Sequence, residues 1–341
     1  MNNNLLEIVD LKGYWWTPTG YVKAVDNVSF SLDKNEIVGI VGESGCGKTT
    51  LAKLITGIVE PPLYVMGGKV IIRGINIFEI PDKELRKNVN GKFISIVPQS
   101  SMNALNPTRK IIDFIKDVVE EHSPGKYSEE EIVNMSAERF EEVGLDKSVL
   151  DMYPFELSGG MKQRAVIAIS TLLNPKILIA DEPTSALDVS TQKAILKLLL
   201  RLREHLNISI LFITHDIATV RQIAERIIVM YAGKIVEERP TEELIFDPQH
   251  PYTKGLMSSV LTPDPDIRKR KISGLPGAPP DLRNPPPGCR FAPRCKYRMG
   301  ICLEKEHPLV SYGGHSKVAC WLYEKKEGVR AHDISGNKKF N

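Results

Sequence analysis

The stretch Ile37-Val38-Gly39-Ile40-Val41 followed by Gly42-Glu43-Ser44-Gly45-Cys46-Gly47-Lys48-Thr49-Thr50 decides the fold of this chain. Five residues without a polar side chain read as a buried strand, and the spacing after them fits G-x-x-x-x-G-K-[ST]. Thr49–Gly57 then reads as a helix. In such a turn the glycines let backbone N–H groups point inward around a β-phosphate, and the helix N-terminus adds about half a positive charge. Lys48 is placed to reach the β- and γ-phosphates, and the Thr49 hydroxyl is suited to Mg²⁺. The competing reading, a glycine-rich turn without a ligand, is disfavoured by the strand before it and the helix after it. Cys46 occupies a variable position of the loop and reads as filler rather than as a redox centre.

Further along, Ile177-Leu-Ile-Ala-Asp181-Glu182 is an apolar strand ending in two carboxylates. Acids at a strand end are useful where something cationic or reactive sits, here Mg²⁺ for Asp181 and an attacking water for Glu182. Alone, the pair would read as a cap or a surface feature; beside a phosphate loop it reads as the second half of a nucleotide site. Ser185-Ala-Leu-Asp188 follows directly, His215 ends an apolar run and Gln99 follows another. A lone histidine or glutamine in such a place says little by itself. Leu157-Ser158-Gly159-Gly160-Met-Lys-Gln163-Arg164 puts a serine and two glycines at a helix start, a second anion site in the same chain. One chain gains little from two such sites unless the second serves a nucleotide bound elsewhere.

Around these segments short strands are expected at Leu5–Val9, Val28–Leu32, Val70–Ile72 and Phe93–Val97. Helical periodicity over Ile111–Glu121 and Glu129–Val143 marks an inserted helical block. Strand and helix then alternate through Gly160–Leu173, Ile177–Ala180, Thr191–Glu204, Ile208–Ile213, Ile217–Ala224 and Ile227–Tyr231, which implies an α/β fold with a mainly parallel sheet. Nine prolines between Pro263 and Pro293 signal a change to extended, loop-rich chain rather than a continuation of the sheet.

The 341 residues permit two domains, and 42% hydrophobic with 26% charged residues is globular composition. Lysine and arginine total 45 against 42 acids, a net charge of +3, which argues against nucleic acid held by bulk charge. The N-terminus lacks the basic and apolar regions of a signal peptide, and no apolar run nears the ~18 residues of a membrane span.

Taken together, the ordered segments resemble the ATP-binding subunits of ABC transporters over residues 5–245: phosphate loop Gly42–Thr49, Gln99, Leu157–Gln163, Ile177–Asp181 with Glu182, Ser185–Asp188 and His215. The resemblance implies a P-loop NTPase core with an antiparallel β subdomain and a helical subdomain over about 100–160. It implies ATP and Mg²⁺ as ligands, with Thr49, Gln99 and Asp181 toward the metal and Glu182, His215, Gln99 and Lys48 in catalysis. Ser158, Gly159 and Gly160 would grip the γ-phosphate of ATP on an opposing subunit in a head-to-tail dimer. An aromatic stacks on adenine; Tyr14, Trp15 and Trp16 are candidates, and spacing favours Trp15.

Gln99-Ser-Ser-Met-Asn-Ala-Leu-Asn-Pro107 and His250-Pro251-Tyr252-Thr253 resemble the oligopeptide/dipeptide (and nickel) importer branch, in its dipeptide D-type form. The expected organisation is an ATPase domain over 1–250 and a C-terminal extension over 251–341. Expected partners are a second, non-identical ATPase, two membrane permease subunits and, indirectly, an extracytoplasmic substrate-binding protein, with the chain peripheral on the cytoplasmic face of the membrane. Oligosaccharide or nickel import by the same machinery is the alternative. A soluble ABC ATPase of DNA repair or translation is the rival class, and lacks support because no long coiled-coil insertion or second cassette is present. The spacing Cys289-x5-Cys295-x6-Cys302-x17-Cys320 has no tight zinc knuckle. Four thiolates without an obvious histidine fit a [4Fe–4S] cluster, with Zn²⁺ or free and disulfide cysteines as alternatives. Resemblance to the C-terminal element of dipeptide-importer ATPases, some of which carry such a cluster, points the same way.

Overall fold

Two sheets organise the computed structural model, which describes residues 4–99, 104–258, 275–313 and 316–324. The smaller is antiparallel, built from β1 (Asn4–Thr17), β2 (Gly20–Asp33), β4 (Leu63–Ile72) and β5 (Ile75–Asn76) in the order β2-β1-β4-β5. Its strands run well past the segments expected from alternation. Asp10 and Asn27 take positive φ at irregular register, so pairing resumes beyond a bulge where the apolar alternation has slipped.

The larger sheet holds β3 (Ile37–Val41) at its centre. Beside it lie β9 (Arg226–Tyr231) on one flank and β8 (Ser209–Thr214), β7 (Ile177–Asp181) and β6 (Ile94–Val97) on the other, all parallel. Every residue of β3, β7 and β8 is buried, as the continuous apolar runs require for strands covered on both faces. Each fully buried Ile or Leu there contributes about 1.5–3 kcal/mol. The sheet continues antiparallel through β10 (Lys234–Pro240), β12 (Lys317–Val318) and β11 (Val310–Ser311). Downstream of the proline-rich stretch, two short strands thus add to the sheet, while residues 275–293 themselves hold no strand.

Helix α1 (Lys48–Thr56) follows β3, and α2 (Asp82–Asn88) precedes β6. The inserted block is α3 (Ile111–His122) and α4 (Glu129–Glu142). Ile111, Ile115 and Val119 form the buried stripe of α3, and Ser128 with Glu131 makes a reciprocal capping box on α4. α5 (Gly159–Thr171), α6 (Val189–Leu206) and α7 (Ile217–Val220) link the parallel strands. α8 (Thr241–Phe246) follows β10, and α9 (Pro251–Ser258) and α10 (Ile301–Glu304) belong to the C-terminal part. That part packs onto the end of β9 through three rings: Tyr231 and Tyr252 lie 4.5 Å apart, and Phe291 stands 5.3 Å and 5.5 Å from them. Among the described residues no helix is long and apolar enough to cross a membrane.

Candidate active site

In a parallel sheet, ligands gather at the carboxyl ends of the strands. Here β3, β8, β7 and β6 are neighbours, and their carboxyl ends carry the phosphate loop, His215, Asp181 with Glu182, and Gln99. Trp15, Lys48, Thr49, Gln99, Glu182 and His215 line one cavity of about 670 Å³. Strand order brings Lys48, Thr49, Gln99, Glu182 and His215 together, and Trp15 reaches the cavity from β1 of the other sheet.

Within the loop, Gly47 takes φ +109° and no side chain caps α1, so the first-turn N–H groups are left for an anion. Lys48 Nζ donates to the carbonyls of Gly42 (2.7 Å) and Glu43 (3.0 Å), which holds the ammonium over the loop. Thr49 Oγ1 donates to Gln99 Oε1 at 3.2 Å. Asp181 is buried, and its Oδ1 has no hydrogen-bond partner among the described residues. Burial pushes its carboxyl up to about 6, against the lowering influence of the Thr49 hydroxyl, with the nearby Glu182 charge adding to the rise. An orphaned buried carboxylate oxygen beside a hydroxyl and an amide oxygen is a hard-oxygen donor set, which fits Mg²⁺.

Glu182 takes φ +52°, a conformation an L-residue holds only when its surroundings fix it, and is nearly buried. Its Oε1 lies 2.8 Å from His215 Nδ1, and Thr214 Oγ1 donates to Oε2 at 3.4 Å. Asp188 caps α6 by accepting from the Ser190 and Thr191 amides, and these bonds with the two hydroxyls hold its carboxyl well below the usual range. Of the three aromatic candidates, Trp15 lines the cavity and its Nε1 donates to Thr50 Oγ1 at 3.0 Å. Tyr14 instead donates to Asp26 at 2.7 Å, and Trp16 is 51% exposed.

Ser158, Gly159 and Gly160 are not among the residues lining this cavity. Ser158 Oγ accepts from Met161 N at 3.3 Å, so the serine caps α5. The segment after Gln99 as far as residue 103 lies outside the described residues. Sequence reasoning missed Tyr252, Arg294, Leu256 and Leu282 at this site. Tyr252 and Arg294 contact Glu43, while Leu256 and Leu282 join the cavity wall. Only Tyr252 had a local signal, in His250-Pro251-Tyr252.

The cysteine expectation is corrected. Cys289, Cys295, Cys302 and Cys320 line one cavity of about 20 Å³, room for about one water. Among the described residues no group of three or more His, Cys, Asp or Glu is placed to hold a metal ion. Neither a [4Fe–4S] cluster nor Zn²⁺ is supported, and the thiols are free rather than paired. Burial pushes Cys289 up to about 11 and Cys320 up to about 12, which leaves protonated sulfurs, poor as nucleophiles. Iodoacetamide at pH 8 is therefore expected to label these two thiols at least ~30-fold more slowly in the folded chain than in denaturant. Equal rates, read by peptide mass mapping, would contradict their protonated state.

A strand–loop–helix phosphate site with acids, a histidine and a glutamine on adjoining strand ends defines a nucleoside-triphosphatase. Comparison with known proteins carries this further. The family model described as ABC transporter matches residues 25–185, and that of the C-terminal region of oligopeptide/dipeptide transporters matches residues 236–302. The dipeptide transport ATP-binding protein DppD of Caldanaerobacter subterraneus subsp. tengcongensis is 41% identical over 94% of this chain and 98% of its own. The oligopeptide transport ATP-binding protein OppD of Bacillus subtilis is 42% identical over 93% of this chain and 88% of its own. The ATP-binding cassette MJ0796, solved as a dimer in a post-hydrolysis state with ADP and Pi, superposes with a TM-score of 0.62 at 29% identity, over 69% of this chain and 98% of that one. The chain belongs to the ATP-binding subunits of ABC transporters, in the oligopeptide/dipeptide transporter branch. It is an ATPase component of a transporter.

Proposed function

We propose that this chain hydrolyses ATP to drive import of dipeptides and oligopeptides through a membrane complex. The observation that carries the reading is the convergence of phosphate loop, Glu182, His215 and Gln99 on one strand-end cavity, with Asp181 buried at the same strand end, in a chain with the branch's C-terminal region. Backbone N–H groups at the start of α1, with no side-chain cap, and the Lys48 ammonium bind the phosphates, and Trp15 stacks on adenine. Thr49, Gln99 and Asp181 would hold Mg²⁺, which when bound neutralises phosphate charge. Glu182 takes the proton of the attacking water, its carboxylate aimed by His215. The Ser158–Gly160 turn, away from the chain's own cavity, faces nucleotide held by a second ATPase subunit, non-identical to this one.

Residues 1–250 act as the ATPase domain, with a helical subdomain over about 100–160 that meets the permeases, and 251–341 form the extension. The assembly sits peripherally on the cytoplasmic face, with two permease subunits and an extracytoplasmic binding protein. The names of the relatives favour peptides over sugars or nickel as cargo. Co-purification with the permeases into vesicles tests this. Peptide-loaded binding protein should raise ATP turnover; stimulation by sugar or nickel but not by peptide would overturn it.

A further inference from the structure

The phosphate loop is gripped from outside the ATPase sheet. Arg294, from the C-terminal part, donates to both oxygens of the Glu43 carboxylate at 2.8 and 2.9 Å. Its side chain is 5% exposed, and it stacks near the rings of Tyr231 and Phe291 while donating to Pro276 O at 2.7 Å. Tyr252, at the start of α9, accepts from Glu43 N at 2.9 Å through its hydroxyl. The carbonyl of the same residue accepts from Lys48 Nζ at 3.0 Å. On the other side of the loop, Pro279, Pro280 and Leu282 close a gap of about 30 Å³ against residues 43–46.

We propose that Arg294 and Tyr252 are positioning residues for the nucleotide, through which the C-terminal extension sets the phosphate loop by way of Glu43. Glycines at 42, 45 and 47 leave the loop free to take many conformations, and ordering it on binding weakens affinity. Fixing the Glu43 peptide on both its N–H and carbonyl sides settles part of that order before ATP arrives, and passes the setting to Lys48. The bidentate pair also neutralises a carboxylate that would otherwise stand beside the triphosphate. Arg294 lies 251 positions from Glu43 in the chain, so the extension and the loop are coupled only through the fold.

The inference rests on reading Gly42–Thr50 as the ATP site, and full-length wild type binding a fluescent-tagged, non-hydrolysable ATP analogue tests that reading first. Arg294→Met should then weaken binding about tenfold, raise the KM for ATP more than it lowers kcat, and leave the melting temperature within a few degrees. The deciding measurement is the double variant Arg294→Met with Glu43→Gln. Removing the unpaired carboxylate should restore most of the lost affinity. Tyr252→Phe, lacking only the acceptor oxygen, should weaken binding a fewfold. Wild-type-like binding by Arg294→Met overturns the proposal, as does a double variant that binds no better than Arg294→Met. If Arg294→Met does not fold, Arg294→Lys keeps the charge without the fork and should be intermediate. Failure of both to fold assigns Arg294 to the fold alone and overturns the proposal.

Discussion

Glu182→Gln is expected to keep ATP binding and dimerisation while lowering ATP turnover by about 10²–10⁴-fold, the range for loss of a general base. The substitution is nearly isosteric, so the buried position at the end of β7 and the contact with His215 are both retained. What disappears is the ability to take a proton from water. Turnover and nucleotide binding should be measured on the same preparation, since binding must survive for the loss to be chemical. Turnover within a few-fold of wild type would remove Glu182 as the base.

The second large effect is expected from Gly47→Ala. An added Cβ would stand 1.9 Å from the carbonyl oxygen of Ala24 in β2, and the backbone there holds φ +109°. Neither the strand nor the loop can yield without displacing the start of α1, where the anion-binding N–H groups sit. We expect nucleotide affinity to fall ~100-fold or more, with stability reduced by roughly 2 kcal/mol or above. Gly45→Ala is the control: it also has positive φ, at +78°, but nothing lies within 4 Å of its added Cβ. Its cost should be only the backbone term of about 1–2 kcal/mol. Titration with a fluorescent ATP analogue separates the two. Near-equal losses would show that backbone conformation, rather than contact with Ala24, governs the loop.

Much of the site was legible because its residues stand at the ends of apolar runs that can only be buried strands. Ile37–Val41 and Ile177–Asp181 carry their chemistry at the carboxyl end, and the strand order then does the assembling. β10 escaped notice because Glu237, Glu238 and Arg239 read as surface, yet all three are buried. Glu237 accepts from the amides of Gln249 and His250, Glu238 pairs with Arg226 and Lys317, and Arg239 bonds Ser316 and Glu243. Polarity patterns cannot report partners that the fold brings up from other elements, Ser316 and Lys317 among them from far along the chain. The cysteines failed in the opposite sense: spacing counts thiols but does not orient them. Arg294 was invisible because its partner Glu43 lies 251 positions away, and the segment around Tyr252 marked a branch without showing what the ring touches.

The pairing of β12 with β10 also bears on how the chain is made. Glu237 pairs with Val318 and Glu238 with Lys317, while Ala319 N donates to Val236 O at 2.9 Å. A ribosome has therefore delivered the chain as far as Ala319 before this flank of the sheet can be covered. Until then a nascent ATPase presents a row of open backbone groups and charged side chains awaiting their partners. A premature stop near residue 300 would leave every nucleotide motif intact in a product suited to aggregation or proteolysis, and abundance rather than catalysis would be the first thing lost.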